Sequence, residues 1–120
     1  MEILRLSAVT FQSDDPDRLA AFYRDKIGLP LRWDQHGSVR PHYEGDLCDV
    51  HLAVLPAYPN AGGPVVPVFR VRDLGAAIAE LGAKGVEMVL KPLALDEGMT
   101  VAGFMDPDGN NFRLIEFKET

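Results

Sequence analysis

The sequence predicts an α+β chain built from two copies of one strand, helix, three-strand unit (βαβββ). Three observations carry this. A helix-start signal occurs twice, at Asp15 and Asp73, 58 residues apart; a glycine stop follows each, at Gly28 and Gly85, 57 apart. Between the copies lies AYPNAGGP, residues 57–64, rich in Pro and Gly and without a periodic apolar pattern. The predicted division is a first module over 1–56, a linker over 57–64 and a second module over 65–120, all within a single domain. With 120 residues, 47% of them hydrophobic, the chain suffices for one core and is too short for two ordinary domains.

Each element has its own signal. LRLSAVTFQ has strand character. SDDP starts a helix with Asp15 at the cap and Pro16 in the first turn, and Leu19, Phe22, Tyr23 and Ile27 recur at helical spacing until Gly28 supplies a left-handed stop. LPLRWDQ, SVRPHYEG and LCDVHLAVL read as three strands, with breaks at His36-Gly37 and Gly45-Asp46. In the second copy PVVPVFRV is a strand, Asp73 caps a helix carrying Leu74, Ala77, Ile78 and Leu81 on one face, and VEMVLKP, MTVAGFM and NNFRLIEF are strands. The last two are joined by DPDGN, in which Pro107 presets a type I turn, Asp108 bonds its own backbone, and Gly109 and Asn110 tolerate positive φ.

Twelve Lys and Arg against 18 Asp and Glu leave a net charge of −6, which disfavours nucleic acid as a partner. No apolar run approaches membrane-spanning length, and MEILRLSAVTF lacks the basic region and cleavage site of a signal peptide, so the expectation is a soluble, cytoplasmic protein with no membrane partner. The single cysteine, Cys48, excludes an intrachain disulfide and a thiolate cluster, and its place in an apparent strand predicts a buried, inert thiol. No serine has histidine and carboxylate partners placed by the pattern, and Gly62-Gly63 lacks the lysine and helix of a phosphate loop.

The duplicated βαβββ order, with D-x-x-x-x-x-A-F-Y-R-D-x-x-G-L from Asp15 to Leu29, V-x-D-L from Val71 to Leu74, and DPDGN, resembles the vicinal oxygen chelate superfamily of glyoxalases, bleomycin-resistance proteins, fosfomycin-modifying enzymes and extradiol dioxygenases. The resemblance implies curved mixed sheets enclosing a ligand cavity, completed across a homodimer. One fold here carries lyases, oxygenases, transferases and binders, so it does not choose the chemistry. It also implies four metal-ligand positions, which fall on Ala8, His51, Val66 and Arg113. Alanine and valine offer no donor and a guanidinium stays protonated, so this ligand set predicts a metal-free cavity with no cofactor. Glu116, three residues beyond Arg113, points to the other face of its strand.

Alternation places Asp49, His51 and Ala53 on the concave face, with Val66, Val68 and Arg70 on the fifth strand and Arg113 on the last. His51, Arg113, Asp49 and Arg70 form the expected polar cluster of a ligand site, with Trp33, His42 and Tyr43 as further contacts at its open end. Two functions fit. One is metal-independent binding of a small organic ligand, as in drug or metabolite sequestration of the bleomycin-resistance type, an antibiotic-resistance role. The other is an enzyme of the family: a metal-dependent lyase or dioxygenase with an unusual ligand set, or a metal-free isomerase with His51 as general base and Arg113 stabilising an enolate.

Overall fold

The computed structural model describes residues 1–34, 42–57, 64–95 and 98–118. Eight strands, β1 (Ile3–Ser13), β2 (Arg32–Asp34), β3 (His42–Leu47), β4 (Val50–Pro56), β5 (Val65–Val71), β6 (Glu87–Ala94), β7 (Met99–Met105) and β8 (Asn111–Phe117), form one sheet in the order β2-β3-β4-β1-β5-β8-β7-β6. β1 runs parallel to β4 and antiparallel to β5, and β5 runs parallel to β8, so each module supplies four adjacent strands and the two halves mirror each other about the β1–β5 pair. The modules therefore join within one chain.

Both helices pack on the same face. Helix α1 (Pro16–Ala21) is capped by the Asp15 carboxylate, which accepts from the Arg18 amide at 3.2 Å. The expected single helix over 16–27 widens at Phe22–Ile27 into a π-helical turn before Gly28, at φ 94°, ends it. A wider turn advances each residue by less than 100°, which rotates Phe22 and Ile27 off the buried face. They are exposed, while Leu19, Tyr23 and Leu29 pack against Leu52 and Val54 of β4. Helix α2 (Leu74–Ala83) is capped twice: Asp73 accepts from the Ala76 amide at 3.0 Å, and Glu116, reaching across from β8, accepts from the Leu74 amide at 2.9 Å. Leu74, Ala77 and Leu81 bury against Val71, Ala102, Phe104 and Leu114. No helix among the described residues is long and apolar enough to cross a membrane.

The turns correct two expectations. β3 runs on through Gly45 and Asp46 to Leu47, and the reversal is made by Cys48 and Asp49 at φ 50° and 66°. Such a two-residue turn needs positive φ at both central positions, and Cys-Asp is not among the pairs that announce it. Cys48 is thus exposed rather than buried, and Asp49 belongs to the turn rather than to β4. In DPDGN the bonding carboxylate is that of Asp106, not Asp108. It accepts from the amides of Asp108 (3.0 Å) and Asn110 (2.8 Å) and from Asn110 Nδ2 (3.2 Å), and the Asn110 amide above all holds its carboxyl below the usual carboxylate range. The expected break at His36-Gly37 lies outside the described residues, as does the expected linker over 57–64 apart from Ala57 and Pro64.

Continuing β3 through residue 45 has a steric condition. A Cβ on Gly45 would stand 1.9 Å from the Pro30 carbonyl oxygen, backbone that cannot rotate away. Gly45→Ala should therefore lower stability by about 1–3 kcal/mol, the cost of overpacking, as a reduced denaturation midpoint with an unchanged m-value. Wild-type stability in this variant would mean that β3 and the Pro30 segment do not meet as described.

Candidate functional site

The face opposite the helices is a trough whose cross-strand rows follow from register. One row runs Asp46, His51, Ala8, Val68, Arg113, Gly103; the next runs Arg32, Glu44, Ala53, Thr10, Val66; a third begins Asp34, His42. Parity is checked by the opposite face, where Val9, Phe11, Leu52, Val54, Phe104 and Leu114 meet the helices. Small side chains, Ala8, Ala53, Thr10, Val66 and Val68, make the floor. His51 and Arg113 rise from either side of it, three strand spacings or about 14 Å apart along the backbone.

The wall from the first module is polar. Glu44 and His42 are buried, and the Glu44 carboxylate lies 3.0 Å from His51 Nε2 and 3.6 Å from His42 Nε2. His51 Nδ1 lies 3.0 Å from an Asp46 oxygen, and its ring is 40% exposed toward the trough. A neutral imidazole can donate to only one of the two carboxylates that grip it; donation to both needs the doubly protonated ring. His51 is thereby fixed in orientation and given two routes for a proton. The second-module side is apolar, with Val68, Val101 and Ile115 packed against Leu90, Met99 and Phe117, and Arg113 stands half-buried among them.

The structure brings four of the seven expected site residues onto this face: His51, His42, Arg113 and Arg70. Arg70 lies 4.5 Å over the Phe117 ring. Asp49 contributes only its backbone carbonyl, which accepts from the Arg5 guanidinium. Tyr43 and Trp33 stand on the opposite face, since they are register partners next to the trough-facing His42 and Asp34. The Tyr43 hydroxyl donates to Asp17 at 2.7 Å, a bond that raises its pKa, and its ring meets Trp33 edge-on at 5.0 Å. Sequence reasoning missed Asp34, Glu44 and Asp46. The alternation of His42, Glu44 and Asp46 was the available signal, a strand with one wholly polar face.

The four positions where the superfamily holds a metal do not fit one in this chain. Ala8 and His51 are register partners, Val68 opposes both Ala8 and Arg113, and Val66 lies opposite Thr10, so the four positions themselves offer one imidazole, a guanidinium and hydrocarbon. Elsewhere on the face, the donor atoms of Asp34, His42 and Glu44 lie within 4.8 Å of one another, a spacing that a cation could span, although the Glu44 carboxylate already pairs with both histidines.

No curated protein matches the chain in sequence. Solved structures share its fold. A hypothetical protein of Bacillus halodurans C-125, BH1468, superposes with a TM-score of 0.74 at 17% identity, covering 97% of this chain and 96% of the other. Methylmalonyl-CoA epimerase from Mycobacterium tuberculosis gives 0.72 at 17% identity, with 98% and 90% covered. A variant of the Streptomyces coelicolor methylmalonyl-CoA epimerase in complex with 2-nitronate-propionyl-CoA gives 0.69 at 20% identity, with 98% and 100% covered. The profile of the Glyoxalase/Bleomycin resistance protein/Dioxygenase superfamily matches residues 5–114, and the chain belongs to that superfamily.

Proposed function

We propose that the trough binds a small carbonyl compound and moves a proton to and from the carbon beside its carbonyl, as an isomerase or epimerase does, without a metal. The observation that carries this reading is the placement of the Glu44–His51–Asp46 relay on one wall and Arg113 on the other, over a floor of small residues. The proton leaves carbon for the Glu44–His51 pair, the C–H electron pair passes into the carbonyl, and the enolate oxygen so formed is held by the Arg113 guanidinium. Return of a proton to carbon closes the cycle. The apolar side of the trough, Val101, Ile115 and Phe117, excludes water and strengthens each of these charges. Two of the proteins that share the fold are named as epimerases, which supports the same class of reaction.

The loss of donors at Ala8 and Val66 favours a second reading, binding without chemistry, in which the chain sequesters a small organic molecule as bleomycin-resistance proteins do. Solvent deuterium uptake separates the two. Acidic C–H carbonyl compounds, methylmalonyl-CoA among them, incubated with the protein in D2O should gain deuterium at the α-carbon, read by NMR. Glu44→Gln and His51→Ala should each slow uptake by roughly 10²- to 10⁴-fold. Arg113→Met, which keeps the volume and removes the charge, should slow it by about 10- to 100-fold. Binding that persists with no exchange across the panel would leave only sequestration.

Chelation tests the metal-independence of this reading. Exchange should survive dialysis against EDTA unchanged. Activity lost on dialysis and restored by zinc, manganese or nickel would instead assign a metal to Asp34, His42 and Glu44.

A homodimer is part of the proposal, since both sheet edges, β2 and β6, carry exposed apolar side chains, Trp33 on one and Val89 and Leu93 on the other. Sedimentation at micromolar concentration should give twice the 13.2 kDa chain mass, and a monomer there would remove the dimer from the reading.

A further inference from the structure

Beyond the row of His51 and Arg113, the sheet ends in a recess of about 500 Å3 whose lining includes Leu4, Arg70, Arg72, Phe117 and Lys118 together with the carboxylates of Asp73 and Glu116. The charges in it are unevenly matched. Asp73 and Glu116 are engaged by the Ala76 and Leu74 amides at the start of α2, and Arg72 is held by Glu2 at 3.1 Å. Arg70 and Lys118 meet no carboxylate among the described residues; Arg70 has only the face of Phe117 beneath it. Arg5, moreover, is the direct register partner of Arg70 on β1, and its guanidinium is turned away toward the Asp49 carbonyl. Like charges directly opposite on antiparallel strands destabilise the pair. In a chain of net charge −6, with 18 acidic residues to draw on, two cations that meet no carboxylate among the described residues, one of them opposite Arg5, mark a place that a negative charge would stabilise.

We propose that this recess is an oxyanion subsite that takes the carboxylate or phosphate of a small molecule, with Arg70 and Lys118 as the cations and Leu4 and Phe117 as apolar walls. A guanidinium suits either group, because its fork of N–H donors matches two oxygens at once. Its volume lies within the range of small-molecule sites. Arg70 shares the trough face with Val68 and Arg113, and at about 3.3 Å rise per residue the Arg5–Arg70 row lies roughly 7–10 Å along the strands from the His51 row. The inference thus deepens the small-molecule reading, on which it rests for what occupies the trough: the ligand carries an anion several bonds from its reactive carbon.

The test measures anion binding alone, so it can fail or succeed apart from proton exchange. The full chain is titrated with inorganic phosphate and, separately, with acetate, at ionic strength held constant with sodium chloride. The Nε–Hε resonance of Arg70 and the melting temperature are followed together. The expected result is a saturable shift of that resonance and a rise in Tm, larger for phosphate if the subsite takes phosphate and for acetate if it takes carboxylate. Arg70→Gln should abolish the rise in Tm and Lys118→Gln should weaken affinity by roughly three- to tenfold, while Arg70→Lys should retain part of it. In anion-free buffer Arg70→Gln should melt cooperatively, which establishes that the variant is folded. No saturable response to either anion up to about 50 mM, a bound too weak for a substrate-level site, would overturn the proposal. So would a Tm response in Arg70→Gln equal to that of wild type.

Discussion

β1 and β5 lie side by side, antiparallel, from Ile3 against Val71 to Phe11 against Val65, and this pairing joins two half-sheets that would otherwise each end in an open edge. Both are interior strands, so apolar residues are wanted on both faces, and both sequences supply them. The pairing is not uniform. Register shifts between Ile3 and Arg5 and between Leu6 and Ala8 put Leu6 opposite Phe69 on the helix side and Ala8 opposite Val68 on the trough side. A bulge increases local twist. Here it turns the β1–β5 seam into the floor of a concavity, and without it the small residue Ala8 would not sit beneath His51 and Arg113.

On that floor the two modules contribute unlike walls from like topology. The first presents His42, Glu44, Asp46 and His51; the second, in the matching strands, presents Met99, Val101, Ile115 and Phe117 around Arg113. Duplication conserved the backbone plan while the inward-facing positions diverged in chemistry. Burying Glu44 costs free energy that its contacts with the two imidazoles help to offset, which favours one arrangement of the two rings and the carboxylate over alternatives. The polar wall is therefore held in one arrangement, and pre-set polar groups in a partly dry cleft are what the proposed proton transfer and oxyanion binding would both use.

Charge is distributed with the same asymmetry. The trough-facing acids of the first module, Asp34, Glu44 and Asp46, are gathered near histidines, whereas Arg5, Arg70 and Arg113 come from β1, β5 and β8, the central strands. A molecule lying along the trough meets hydrogen-bond acceptors on one flank, guanidinium groups along the middle and one end, and hydrocarbon on the other flank.

The order of elements, the duplication, both Asp caps, the glycine stops at 28 and 85, and the outward Glu116 were all legible in the sequence, because each rests on local spacing or on the conformational preference of one residue type. Parity alone also placed His51, Arg70 and Arg113 on one face. It should have separated His42 from Tyr43, since neighbours in a strand point to opposite sides; grouping both with Trp33 ignored that rule. What local pattern could not supply was register. The Cys48-Asp49 turn has no sequence signal, and moving it from Gly45-Asp46 changes which side chain faces which strand, adding Glu44 and Asp46 to the site and removing Asp49. Only the tertiary structure decided the rows across the sheet, because hydrogen-bond register between strands distant in sequence is set by the packing of both faces at once, and no stretch of chain contains that information by itself.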